Sequence, residues 1–392
     1  MMKERSAMSI PQVAPYTTLF KHYIFLRNSI SFLRAYIKHK LPLHDIVASL
    51  MRYKNLWYLH ELEAQEFFLY QLWRKDLSVE QYISFIGWKK HILSLIALNP
   101  IQYRCLTENK LFFYTYAVAF GIPTPKIYAI YDPHLPNIDG FTIIKTIDQL
   151  TDFLSQKNIR ELVIKPVEGT RGQAILTMSF DSKTGGFNSV SGQQISMDYI
   201  SKVLKSYRYR EAAQTSFLIQ KRLTPHDSTL EFSKYVPFSY RAITLLDNAN
   251  KPHMVRIYAK SAVGNKEADN RHAGGLTLLL DDKGTILGAR SMESGLNIIE
   301  HHPTSGLLLK GLKAPFFKEV CELAVQLSRT FYLIRCVAWD IIVAKQGVYV
   351  IEGNNPWNVD VQEVYDKGLW SDIFAKEAGN AIQNGPAKSP WW

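Results

Sequence analysis

Apolar and polar positions divide this chain into two regimes. Up to about residue 100 the apolar residues recur at helical spacing, as Phe25, Phe32, Leu33, Tyr36 and Ile37 do, while Arg27, Arg34 and Lys38 fall on another face. Glycine is scarce there and no segment alternates convincingly, so a helical region is expected. From Thr107 the pattern becomes one of alternating elements. Thr107 is placed to cap a helix running from Lys110 to Phe120, which Gly121-Ile122-Pro123-Thr124-Pro125 stops. Strands are expected over 126–130 and 141–144, a helix over 147–156, and a strand over 161–167. A loop follows over 168–173 before a strand resumes over 174–178. The polar, Gly- and Ser-rich stretch 181–194 reads as a loop, and 217–220 as another apolar strand. The remainder is expected to be strand-rich until a helix over 316–331. Two strands then follow, the first containing Val337 to Val343 and the second Val348 to Asn354, joined by Lys345-Gln346-Gly347.

Composition narrows the class without choosing a function. The 392 residues, 47% hydrophobic and 21% charged, suit a soluble globular protein with two or three domains. No apolar run has the length of a membrane span, and no hydrophobic core follows Met-Met-Lys-Glu-Arg, so a cytoplasmic location is expected. Cys105, Cys321 and Cys336 lack the spacing of a zinc site or a disulfide framework. The formal charge is +11. Fifteen Lys and Arg against eight Asp and Glu place about +7 of it within residues 1–110. That basic helical region reads either as a surface for peripheral contact with a membrane or acidic glycan, or as a helical cap whose charges are merely solvated. No nucleic-acid motif accompanies the charge, and no nucleic-acid partner is expected.

Candidate chemistry concentrates in two places. In the terminal pair of strands, Glu352 and Asn354 are two residues apart and share one face, and Asp340 can join them across the hairpin. Two carboxylates and an amide oxygen are hard ligands suited to Mg²⁺ that also holds phosphates. Earlier, Lys165 sits inside the apolar strand Leu162-Val163-Ile164-Lys165 and is followed by Gly169-Thr170-Arg171-Gly172. A buried lysine needs a partner, and a ligand phosphate beside a glycine-containing loop is a natural one. Arg241 and Arg256 are cations on apolar strands. Either could stabilise a transferred phosphoryl or acyl-phosphate group, or serve a structural ion pair. His272, His301 and His302 are candidates for catalysis, His272 foremost because Asp269-Asn270 and Gly274-Gly275 flank it.

The ordered set Asn109-Lys110, Gly121 to Pro125, Val163-Ile164-Lys165-Pro166 with its Gly169 to Gly172 loop, Phe217-Leu218-Ile219-Gln220-Lys221, and Asp340 with Glu352-Gly353-Asn354 resembles the ATP-grasp superfamily. Within it, the run Asp269 to Gly275 and the later His302-Pro303-Thr304-Ser305-Gly306 are similar to the sugar-transfer-associated group, related to alpha-L-glutamate ligases. The resemblance covers roughly residues 105–370. It implies an α+β fold in which two subdomains, 105–222 and 223–392, clasp ATP after a helical region 1–104. It also implies that Lys110 and Lys165 contact the nucleotide phosphates beneath a lid of Gly169, Thr170, Arg171 and Gly172. Gln220 to Leu223 would be the hinge between the two halves, where backbone groups of Lys221 and Leu223 read the adenine edge, and Asp340, Glu352 and Asn354 would hold Mg²⁺. Two departures stand out. Ala174 replaces a glycine of the usual lid, and helices replace the usual first βαβ domain. The implied activity is an ATP-dependent carboxylate–amine ligation through an acyl phosphate, acting on small-molecule or glycan substrates such as an amino acid and a uronic acid. The rivals are a small-molecule or sugar kinase on the same fold and a non-catalytic nucleotide-binding protein.

Overall fold

The computed structural model describes residues 18–169, 172–208, 215–264, 269, 274–294, 297–359, 361–370 and 372–384. The chain divides into two compact units, one comprising Met1–His91 with Asp366–Trp370 and the other Ile92–Tyr365 with Ser371–Trp392.

The first unit is helical, as its apolar periodicity predicts. It contains α1 (Thr18–Lys38), α2 (Ile46–His60), α3 (Ala64–Leu69) and α4 (Val79–Ile83), after which α5 (Trp88–Leu98) carries the chain onward. The two shortest helices start at capping boxes, Glu63 with Glu66 and Ser78 with Gln81, which satisfy amide groups the helices leave unpaired. Aromatic rings make the core: Phe32, Tyr53, Phe67 and Phe68 are buried together, with Phe32 stacked on Tyr53 at 4.9 Å between centroids.

The second unit is built on two sheets. Before them come α6 (Cys105–Glu108) and α7 (Lys110–Ala119). The cap of α7 is Asn109, whose side chain accepts from the amides of Leu111 and Phe112. The expected cap, Thr107, lies inside α6 instead. The strands are β1 (Ile127–Tyr131), β2 (Ile143–Ile144), β3 (Glu161–Pro166), β4 (Leu176–Asp181), β5 (Gly186–Ser189), β6 (Gln194–Ile195) and β7 (Phe217–Lys221). They form a seven-stranded sheet in the order β2-β1-β7-β3-β4-β5-β6. The stretch expected as a loop over 181–194 thus supplies β5 and the start of β6, because Phe187 and Ile195 pair across the turn and Phe187 buries its ring beside Phe180. α8 (Ile147–Gln156) and α9 (Met197–Ser206) cover this sheet with Leu150, Leu154, Ile200 and Leu204. α9 was not anticipated.

The second sheet joins β8 (Phe238–Leu246), β9 (Pro252–Ser261), β10 (Leu276–Leu280), β11 (Ile286–Arg290), β12 (Cys336–Ala344) and β13 (Gly347–Asn354) in the order β11-β10-β9-β8-β12-β13. One face packs on α10 (Phe317–Thr330), where Val320, Leu323 and Leu327 meet Tyr240, Trp339 and Ile341. α11 (Val361–Tyr365) and α12 (Asp372–Asn384) close the unit. Strand residues alternate in direction, so the core face of β12 takes Trp339 and Ile341 and leaves Asp340 and Ile342 for the other side.

Candidate functional site

That other side is polar because of register. Asp340 lies opposite Glu352 on β13 and opposite Arg241 on β8, and Arg241 lies opposite Tyr258 on β9. The next row runs Ile342, Ser239, Lys260, Thr277 and Arg290. Residues directly paired across strands share a face, so a line of charge crosses the middle of the sheet. Gly353, between Glu352 and Asn354, is needed for packing, since a Cβ there would lie 2.8 Å from the ring of Trp339.

Asp340 is the centre of this line. One carboxylate oxygen accepts from Arg241 Nε at 2.6 Å and from Lys260 Nζ at 3.2 Å. The other accepts from Arg241 Nη2 at 2.8 Å and from Asn354 Nδ2 at 3.3 Å. Burial disfavours its charge, yet the two cations overcome that and hold the carboxyl well below the usual range. Arg241 therefore enters the site as the partner of Asp340, the ion-pair alternative. Lys260 feels the same balance in reverse: burial opposes its charge, while Asp340 and Asp269 raise its pKa. Asp269 in turn accepts from the Ser239 hydroxyl.

The first sheet supplies lysines. Lys165 on β3 is buried, and burial, with repulsion from Lys110, pushes its pKa down to about 8 against an opposing pull from Glu352. Among the described residues it makes no ion pair. Lys110, at the first position of α7, is fixed by its amide bond to Val167 O at 2.9 Å. Its Nζ donates to Gly169 O at 3.2 Å and lies 3.7 Å from Glu352. Both lysines line a cavity of about 830 Å³ with Asp340, Glu352, Asn354, Lys260, Gly169, Gly172 and Gln220. Its apolar lining is Val163, Ile175, Leu223, Ile342 and Ile351, of which Leu223, Ile342 and Ile351 pack together. A pocket that combines an apolar cluster with clustered cations and carboxylates suits a ligand that is part flat ring and part polyanion.

The remaining expected residues fall as follows. Gln220 is buried and donates through its amide to Pro125 O at 2.7 Å, tying β7 to the segment after α7. The Lys221 amide is spent on Lys126 O at 2.8 Å, so it is not free to read a ligand edge. Leu223 lines the cavity. Arg241 and Arg256 are not among the cavity residues; Arg241 is paired with Asp340, and Arg256 lies over the Tyr365 ring at 4.9 Å. His302 is buried, its Nε2 within 3.0 Å of the Ser261 hydroxyl and its Nδ1 accepting from the amides of Thr304 and Ser305. It organises a loop. His301 is exposed and also outside the cavity residues. Thr170, Arg171 and His272 lie outside the described residues.

Three contributors were missed. Lys260 carried the same signal as Lys165, a lysine on an apolar strand. Ser239 carried none. Asn99 bridges Cys336 O at 2.7 Å and Asn355 Oδ1 at 2.8 Å, contacts 237 and 256 positions away that no local pattern announces.

The family model described as sugar-transfer associated ATP-grasp matches residues 95–377, well over half of the chain. The chain belongs to that family. Its architecture is the ATP-grasp fold, two sheets enclosing the cavity, preceded by helices. Among solved structures, similarity extends to biotin carboxylase of Campylobacter jejuni, with 10% identity, a TM-score of 0.45, and coverage of 78% of this chain and 55% of that one. D-alanyl-alanine synthetase A of Vibrio cholerae matches at 10% identity and TM-score 0.40, covering 73% and 66%. D-Alanine-D-alanine ligase of Helicobacter pylori matches at 14% identity and TM-score 0.42, covering 76% and 70%. The chain thus spans somewhat under two thirds of the first two proteins' lengths. No curated protein matches this sequence.

Proposed function

We propose that the chain is an ATP-dependent carboxylate–amine ligase, working on an amino acid and a sugar acid or related glycan in the making of cell-surface polysaccharide. The observation that carries the nucleotide part is the buried Lys165, its charge disfavoured by burial and set beside Lys110 on the wall of a cavity that also holds Glu352 and Asp340. Such a pair of cations is relieved by a polyanion. The family supports the reading, since the sugar-transfer association points to glycan substrates.

Base and phosphates sort themselves by the apolar and the charged lining of the cavity. Leu223, Ile342 and Ile351 would flank the adenine, and the Leu223 amide is better placed than that of Lys221 to meet its edge. Lys110 and Lys165 would bind the phosphates, with Gly169 and Gly172 over them. Lys260, across the sheet, would face the acceptor carboxylate and the charge that develops on it, whereas Arg241, paired with Asp340, is not among the cavity residues. A carboxylate oxygen attacks the γ-phosphorus and ADP leaves. The amine then attacks the acyl carbon, phosphate leaves, and the nitrogen gives up a proton.

Glu352 and the Asn354 Oδ1 are the oxygens that would be offered to Mg²⁺. The Asn354 Nδ2 already donates to Ala338 O at 3.2 Å and to Asp340 at 3.3 Å, and Asp340 shares its oxygens with Arg241 and Lys260. Bound there, Mg²⁺ would neutralise phosphate charge.

The test is incubation with ATP and a panel of amino acids paired with uronic acids, following phosphate release and the mass of the joined product. An amide product with stoichiometric phosphate is expected. Phosphate retained on the acceptor would replace the ligase with a kinase, and no ATP turnover with any pair would overturn the catalytic reading.

A further inference from the structure

The helical unit carries a feature that nucleotide chemistry leaves unused. On α1, Leu26, Ile30, Leu33 and Ile37 form one stripe at spacings of four, three and four, and all are exposed, Leu26 at 65% and Ile37 at 66%. They do not belong to the core face, which is Phe32 and Tyr36. Arg27, Arg34 and Lys38, also exposed, each follow a stripe residue by one position and therefore lie about 100° further round the helix. α2 runs antiparallel to α1, as the contacts of Phe25 with Trp57 and of Phe32 with Tyr53 show. It exposes a second stripe of Val47, Met51 and Tyr58 on the side away from buried Ser49, Tyr53 and Leu56. Leu43, between the helices, is exposed as well.

Charge follows the same ground. Residues 18–60 hold seven Lys and Arg and a single acid, Asp45. That acid is paired with Lys75 at 2.9 Å. A soluble surface does not ordinarily line up exposed aliphatic side chains along two helices and border them with cations.

We propose that α1 and α2 dock this protein on an anionic phospholipid surface, the aliphatic stripes entering the headgroup boundary and the basic residues meeting lipid phosphates. No helix among the described residues is long and apolar enough to cross a bilayer, so the helices lie in its plane. An acidic polysaccharide would use the cations and leave the stripes without a role. A second copy docked antiparallel, with its twofold axis perpendicular to α1, would bring Arg27, Arg34 and Lys38 of both copies to one seam. The lipid surface accounts for both features together. The inference is independent of the ligase reading, because it uses residues outside the cavity.

The experiment is co-sedimentation of the full chain with vesicles of phosphatidylglycerol and phosphatidylcholine, against phosphatidylcholine alone and an acidic polysaccharide, at low and high salt. Binding to the anionic vesicles is expected, weakened by salt. Leu26→Ser with Ile30→Ser, and separately Arg27→Glu with Arg34→Glu, should each lower vesicle partition about tenfold or more, with the circular-dichroism spectrum and ATP binding retained. Should a variant unfold, the lipid and salt contrasts of the unaltered chain decide. Absence of vesicle binding at low salt, equal binding to neutral lipid, or binding to polysaccharide alone overturns the proposal. So does a dimer in light scattering that the serine variant dissolves.

Discussion

Asp340 and Glu352 are both carboxylates of one cluster, and the structure gives them opposite debts to the fold. Asp340 is buried against two cations, and removing its charge strands Arg241 and Lys260. Breaking such a buried pair costs about 3–5 kcal/mol, so Asp340→Asn is expected to lower the melting temperature markedly. Glu352 is about a third exposed and meets Lys110 only at 3.7 Å. Glu352→Gln should melt like the unaltered protein and lose its nucleotide-dependent activity. Equal melting of the two variants would show that Arg241 and Lys260 do not depend on Asp340. Lys165 makes a prediction in pH. Its proton leaves near pH 8 in the folded chain and near the ordinary 10.5 in the unfolded one. The burial penalty is thus fully present below pH 8 and is relieved as pH rises toward 10.5, because the unfolded state then holds the extra proton. Nucleotide binding has the reverse sign. Phosphates favour the charged amine, so affinity should fall as pH passes 8, and binding just above pH 8 should take up a proton. Calorimetry in two buffers of different ionisation heat measures that proton, and Lys165→Met should abolish it. Lys165 was legible because a lysine in an apolar strand needs an explanation. The pairing of Arg241 with Asp340 was not, since the two are 99 positions apart and only the β8–β12 register brings them together.

Among elements, the β12–β13 hairpin was readable to within a residue, because its two largely apolar runs and its Lys-Gln-Gly turn agree with one another. The segment 181–194 misled for the opposite reason. Its strands are short and polar on one side, and the only evidence of pairing is the burial of Phe187, which tertiary packing supplies. The turn before β4 raises a related point. Gly172 takes φ 72° and Ala174 takes φ 54°, so an L residue with a Cβ stands in the left-handed region that glycine occupies without strain. Ala→Gly ordinarily destabilises an element by about 0.5–1 kcal/mol. Here Ala174→Gly is expected to be neutral or to stabilise by up to about 1 kcal/mol. A denaturant midpoint clearly below that of the unaltered protein would mean that the Cβ contact with the core of the first sheet outweighs the backbone strain.

At the scale of the molecule, the ATP-grasp architecture was legible from the order of separated motifs, whereas the polar rows across the second sheet needed six strands in register before they existed. The pinning of Asp340 has one more consequence. A site made of bare carboxylates is held closed by its metal, and like charges push it apart when the metal is withdrawn. Here the protein carries its own counterions, Arg241 and Lys260, so mutual repulsion has nothing to act on. Chelation with EDTA is therefore expected to stop turnover and leave the melting curve where it was, in contrast to proteins that fold around their ions. A large drop in melting temperature on chelation would mean that the built-in cations do not suffice. The carboxylate at the centre of the cleft is thereby held in place by the fold itself.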